Sequence, residues 1–221
     1  MIEFFGVTKV YKSRQGSKTI LQDASFSFEP GHNFGILGGN GAGKSTLIRL
    51  IAGAEPPDKG RVQRRARVSF PVGFSGTFHP HLSGRQNASF IARIYGESVA
   101  RVVDFVGDFS ELGEYFDMPV ETYSAGMTAK LAFGVSLGID FDVYLVDEVI
   151  EVGDARFRQK CAAVFAERME RSDLIMVSHN SSTIRTFCDR AAILSKGELH
   201  FYDSVDAAMR AYWQIMGTTD A

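Results

Sequence analysis

Cysteine is scarce in this sequence. Cys161 and Cys188 are the only two, neither close together nor set among histidines. That excludes a disulfide framework and a thiolate metal site, and leaves two free thiols with packing roles. No apolar run reaches the roughly 20 residues that a bilayer-spanning helix needs; Leu131 to Ile139 and Val143 to Val146 are short or interrupted. The opening MIEFFGVTKVYKS lacks the basic stretch, apolar core and small-residue cleavage site of a secretion signal, so the chain is expected to stay in the cytoplasm. Neither sign of charge dominates: 24 basic residues face 26 acidic ones, for a net charge of -2, and no nucleic-acid partner is expected. Internal repeats and low-complexity tracts are also missing. What remains is an ordinary globular composition, 45% hydrophobic and 23% charged, over 221 residues. That length suits one compact domain with an inserted or appended subdomain.

Periodicity then orders the chain. Residues 1–10 and 24–28 alternate around a polar KSRQGSK turn and predict an antiparallel pair half exposed to water. HNFGILG reads as a buried strand, and residues 43–51 as a helix covered by Leu47, Ile48, Leu50 and Ile51. ARVSF is a short strand, followed by the loop PVGFSGTFHPHLSG. Residues 85–116 are helical, broken at IYGES and before DMP. VYLVDE and LIMVSH are buried strands flanking an amphipathic helix at 154–169; a hairpin around Lys196-Gly197 and a terminal helix close the chain. Strands alternating with helices predict an α/β sheet interrupted by a helical insert.

Residues 38–45, GGNGAGKS, match G-x-x-x-x-G-K-[ST] between a predicted strand and helix. The small residues Gly38, Gly39, Asn40, Gly41, Ala42 and Gly43 let consecutive backbone N–H groups curl around nucleotide phosphates at a helix start. Lys44 is placed to reach the outer phosphates, Ser45 to give its hydroxyl to Mg²⁺, and Thr46 to add a second polar contact. A glycine-rich turn alone does not account for a lysine followed by a hydroxyl at this spacing. Asp147, ending the buried VYLVDE strand, is the expected metal carboxylate, and Glu148 the group that polarises the attacking water. His179 ends LIMVSH at the sheet edge where ligands of open α/β sheets gather. No N-K-x-D sequence occurs, which removes the usual guanine reader of P-loop GTPases and favours ATP.

Six stretches now stand in one order, and the pattern resembles the ATP-binding subunit of an ABC transporter. VYKS matches its adenine-stacking loop with Tyr11, GGNGAGKS its Walker A motif, and YSAGM its signature. VYLVDE matches Walker B, VGDAR the D-loop and MVSH the switch histidine. The resemblance implies a P-loop NTPase (RecA-like) α/β core with an N-terminal antiparallel β subdomain and an inserted α-helical subdomain. The expected division is 1–74 and 139–205 for the core, 75–138 for the helical signature subdomain and 206–221 for a C-terminal helix. It also implies ATP and Mg²⁺, and a head-to-tail homodimer in which Ser124 and Gly126 of one copy close on the ATP held by the other. Tyr123, Ala125 and Met127 depart from the usual LSGGQ. Residues 66–85 lack the glutamine that relatives place after this strand. Phe74, Phe78, His79 and His81 are candidates either for a cleft receiving permease helices or for a packed aromatic loop. The four arginines of RVQRRAR, residues 61–67, read as a solvated turn and strand.

Within the family, AGAEPPDKG, FHPHLSGRQN, DEVIEVGDARFRQK and KGELHFYDSVDAAMRAY resemble bacterial capsular polysaccharide export ATPases. That implies a peripheral subunit on the cytoplasmic face of the inner membrane, working with an integral membrane permease and further cell-envelope export proteins. Related ATPases export O-antigen or teichoic acid, often with an added carbohydrate-binding domain; ending at Ala221, one helix after the core, favours the capsule type. A non-transport ABC ATPase is the remaining alternative.

Overall fold

A computed structural model describes residues 1–13, 16–73, 76, 78–147, 154–178 and 181–217. The chain forms two compact units. One comprises Met1–Ser69, Asp142–Glu148 and Ser172–Ala221, the other Phe70–Phe141 and Val149–Arg171.

In the first unit, β1 (Ile2–Ser13) and β2 (Gly16–Phe28) pair antiparallel, and β4 (Lys59–Arg64) pairs with the other edge of β1. Alternation explains the pairing: Ile2, Phe4 and Val7 are buried while Glu3 and Phe5 lie on the other face. Phe4 stacks on Phe26 with ring centres 4.3 Å apart. The larger sheet is built on β3 (Phe34–Leu37), β6 (Val143–Asp147), β7 (Asp173–Val177) and β8 (Arg190–Ser195), which run parallel. Antiparallel β9 (Glu198–Tyr202) and β5 (Val68–Pro71) are its edges, in the order β5-β6-β7-β3-β8-β9. Val143 to Val146 are all buried, as a central parallel strand requires. Lys196 and Gly197 both take positive φ, 49° and 86°, which makes the tight β8–β9 hairpin.

Helix α1 (Lys44–Ala52) buries Leu47, Ile48, Leu50 and Ile51 in the same core as Ile36, Leu145 and Val177. Its end is closed by left-handed Gly53 and by Arg64, whose guanidinium donates to the carbonyls of Leu50 and Ile51. Arg64 therefore departs from the solvated role expected for the 61–67 run: it neutralises the orphan carbonyls at the negative end of α1. Helices α6 (Ser181–Phe187) and α7 (Val205–Met216) complete the unit.

The second unit packs α2 (Gly84–Ile94), α3 (Val99–Ser110), α4 (Ala125–Gly138) and α5 (Ala155–Met169), with short 3₁₀ turns at Gly113–Asp117 and Val120–Thr122. Ser83 and Gln86 form a reciprocal capping box, and Gly96 and Ser98 make the break expected at IYGES. Residues 131–138 of α4 are buried throughout. Gly138 allows α3 to approach, since a Cβ there would lie 3.1 Å from Phe105. Among the described residues no helix is long and apolar enough to cross a membrane. Cys161 and Cys188 are buried and free, and burial pushes their thiols up to about 11 and about 12, consistent with packing roles.

Candidate functional site

The geometry begins at the loop between β3 and α1. Ala42 N–H donates to the Gly39 carbonyl at 3.0 Å, a tight turn. Gly43 has φ 108°, and a Cβ there would sit 2.4 Å from Ile20 Cγ2, so only glycine fits without displacing β2. At Gly38 an added Cβ would fall 2.7 Å from the Leu194 carbonyl oxygen, a close passage of the loop along β8.

Beyond Gly43 the start of α1 is open. The side chains of Ser83, Ser98, Ser124, Asp154 and Ser204 each accept a backbone N–H at the head of α2, α3, α4, α5 and α7. α1 has no side-chain cap and no acid in its first turn. Its first N–H groups and the positive end of its dipole are left for an anion from outside the helix. Lys44, 7% exposed, donates to the carbonyls of Gly38 at 2.7 Å and Gly39 at 3.2 Å. Burial lowers its ammonium pKa, and the charge of Asp147 partly offsets this.

A cleft of about 350 Å³ opens over this loop. From the sequence-predicted set the structure brings Tyr11, Asn40, Gly41, Gly43, Lys44, Ser45, Thr46 and Asp147 to its walls. Gly38, Gly39 and Ala42 shape the loop behind them. Thr46 is 6% exposed, and its hydroxyl already accepts from Arg49 at 3.1 Å. Lys18 and Ile20 also line the cleft, and the sequence reading missed them. Strand alternation was the signal that could have found them: Tyr11 stands opposite Lys18 across β1 and β2, and residues 18 and 20 share a face. Lys18 lies against bare backbone, its Nζ 2.9 Å from where a Gly41 Cβ would be. Ser45 and Asp147 offer one hydroxyl and one carboxylate in the same cleft, oxygen donors of the kind Mg²⁺ takes together with nucleotide phosphates.

Ser124 and Gly126 belong to the second unit. Ser124 caps α4 by accepting from Met127 N–H at 3.3 Å, and both Ser124 and Gly126 are exposed. Tyr123, in place of the family's leucine, donates its hydroxyl to the Tyr115 carbonyl at 2.6 Å. His81 pairs with Glu121 at 3.0 Å, and His79 N–H donates to buried Asn87, whose amide also holds the His79, Leu82 and Ser83 carbonyls. Residues 79–83 are thereby tied to α2. Glu148, His179 and Phe74 lie outside the described residues.

Comparisons with known proteins agree with this geometry. The capsule polysaccharide export ATP-binding protein CtrD of Neisseria meningitidis serogroup B is 48% identical over 212 residues, covering 96% of this chain and 98% of its own length. The polysialic acid transport ATP-binding protein KpsT of Escherichia coli is 44% identical over 215 residues, at 96% and 98% coverage. The O-antigen export system ATP-binding protein RfbB of Klebsiella pneumoniae shares 35%, over 96% of this chain and 88% of its own. A solved ATP-binding cassette, MJ0796, in a dimeric post-hydrolysis state with ADP and Pi, superposes with a TM-score of 0.75 over 92% of this chain and 98% of that one; at 19% identity it attests the fold. The family model described as ABC transporter matches residues 21–151, and with the curated relatives this shows that the chain belongs to the ABC transporter family.

Proposed function

We propose that this chain is the ATP-hydrolysing subunit of an ABC transporter that exports a capsular polysaccharide. The observation that carries the ATPase reading is the uncapped start of α1, with Lys44 and Ser45 on it and Asp147 facing them across one cleft. The cargo reading rests on relatives named for capsule and polysialic acid export, which share more identity with the chain than one named for O-antigen export.

In this reading the free N–H groups of the loop and α1 receive the phosphates, and Lys44 leaves the Gly38 and Gly39 carbonyls to neutralise them. Ser45 and Asp147 hold Mg²⁺, which when bound neutralises charge on the phosphate oxygens. Tyr11 offers its ring to adenine. Glu148 orients the attacking water, and His179 contacts the outer phosphate. Ser124 and Gly126 act on a second copy of the chain. Gly126 supports that sharing: a Cβ there would meet nothing of its own chain nearer than Ser124 Oγ at 3.9 Å, so packing does not require glycine. Something approaching from outside would. ATP touching both copies only in the closed dimer shifts the population toward closure, and closure drives a membrane permease at the cytoplasmic face of the inner membrane.

Lys44→Ala is expected to weaken ATP binding at least about a hundredfold, as removal of a charge-assisted contact to a buried phosphate does. Titration calorimetry measures it, and unchanged affinity would remove the loop assignment. In cells carrying only that variant, surface polysaccharide should vanish; its persistence would overturn the export reading.

A further inference from the structure

Tyr11 does not stand free. It lines the cleft near the end of β1, where a strand-terminal phenol would be expected to sample several rotamers in water. Here its hydroxyl donates to Glu55, with the two carboxylate oxygens at 2.6 and 2.7 Å, and accepts from the Arg49 guanidinium at 3.1 Å. Glu55 is held in turn by Lys9 at 2.9 Å and by Arg49 Nε at 3.0 Å. Lys9 is 7% exposed and also donates to the Pro56 carbonyl at 3.0 Å, and its ammonium lies 5.5 Å from the centre of the Tyr11 ring. Arg49 reaches the hydroxyl of Thr46, one turn back on α1, so the network runs from the ring to the helix that begins at Lys44. Among the described residues lining the cleft, Lys9, Arg49 and Glu55 do not appear: they hold the phenol without sharing the pocket.

We propose that Glu55 is a positioning residue for the nucleotide base: by fixing the Tyr11 hydroxyl it sets the plane of the ring on which the base stacks. Through Arg49 and Thr46 it also ties that plane to the phosphate-receiving end of α1. The phenol proton is committed to Glu55, so Tyr11 meets the base with its ring face rather than by donating to the base edge. The distance from base platform to phosphate loop is thereby set by a charged network rather than by strand packing alone. This rests on the reading of Tyr11 as the adenine platform, and the test separates the two.

The full chain is titrated calorimetrically with ATP and with inorganic tripolyphosphate, which has no base to stack. The set is wild type, Tyr11→Ala, Glu55→Gln, Glu55→Ala and the double variant Tyr11→Ala/Glu55→Ala. Removing a stacking contact is expected to weaken ATP binding about tenfold in Tyr11→Ala. Glu55→Ala should lose about fivefold and Glu55→Gln, which keeps the shape and an acceptor, about half of that effect. Tripolyphosphate affinity should stay within about twofold throughout, which also reports that the variants fold. The double variant should bind ATP no more weakly than Tyr11→Ala, because Glu55 acts through the ring. If Tyr11→Ala weakens ATP while the Glu55 variants do not, the proposal is overturned and the stacking reading survives. Equal losses for ATP and tripolyphosphate, or additive losses in the double variant, would make Glu55 a structural residue and overturn it as well. Undiminished ATP binding by Tyr11→Ala overturns the stacking reading and this inference together.

Discussion

At the scale of single residues, Glu55 carries the clearest electrostatic consequence. Burial works against its charge, but hydrogen bonds from Tyr11, Lys9 and Arg49 outweigh that and hold its carboxyl at about 2, against an ordinary value of 4.5. A depressed folded-state pKa means that the stabilisation is complete above the ordinary value and is lost as pH falls toward about 2. The difference in urea midpoint between wild type and Glu55→Gln should therefore be flat above about pH 5 and shrink on acidification below about 4.5. A gap that widened on acidification would contradict the ion-pair account. Lys44, Ser45 and Asp147 were legible in the sequence because a spacing rule or a strand end announced them. Glu55, Arg49, Lys9 and Lys18 were not: their meaning depends on partners brought together by β1, β2 and the turn after α1, and no local pattern encodes those contacts.

Two helix starts differ at the scale of elements. α1 begins at Gly43, whose φ of 108° and contact with Ile20 demand glycine, and leaves its N–H groups uncapped. α4 begins at Ser124, is capped, and carries Gly126 where its own chain requires none. Glycine in a helix costs about 0.5–1 kcal/mol relative to alanine. Gly126→Ala is thus expected to leave thermal stability unchanged or slightly raised while lowering ATP turnover at least tenfold; wild-type phosphate release would remove Gly126 from the site. Substituting Gly43 should instead lower stability, through both strain and the clash with Ile20. The 3.6-residue and two-residue periods predicted α1, α4, β6 and β7 well, because each buries one stripe or a whole run. The role of Arg64 escaped that reading, since a strand arginine in an RVQRRAR run carries no mark of the carbonyls it closes.

For the whole molecule, the composite site predicts complementation. Lys44→Ala chains retain an intact signature, and Ser124→Arg chains retain an intact phosphate loop. Each homodimer should be inactive, whereas mixing the two should restore about a quarter of wild-type ATPase activity, one good site in half of the dimers formed at random. Failure of the mixture to regain activity would show that each copy's site is complete without its neighbour.

The sequence by itself determined the family, the phosphate loop and the order of the motifs, because these reside in short stretches whose chemistry depends on spacing along the chain. GGNGAGKS requires only a strand before it and a helix after it. The tertiary structure decided which side chains stand around that loop. It placed Asp147 across from Lys44 by pairing β6 with β7 and β7 with β3, brought Lys18 over Gly41, and locked Tyr11 to a carboxylate 44 residues away. Those distances arise from sheet register and from the closing of α1 by Arg64, which are cooperative properties of packing and have no local signature in the chain.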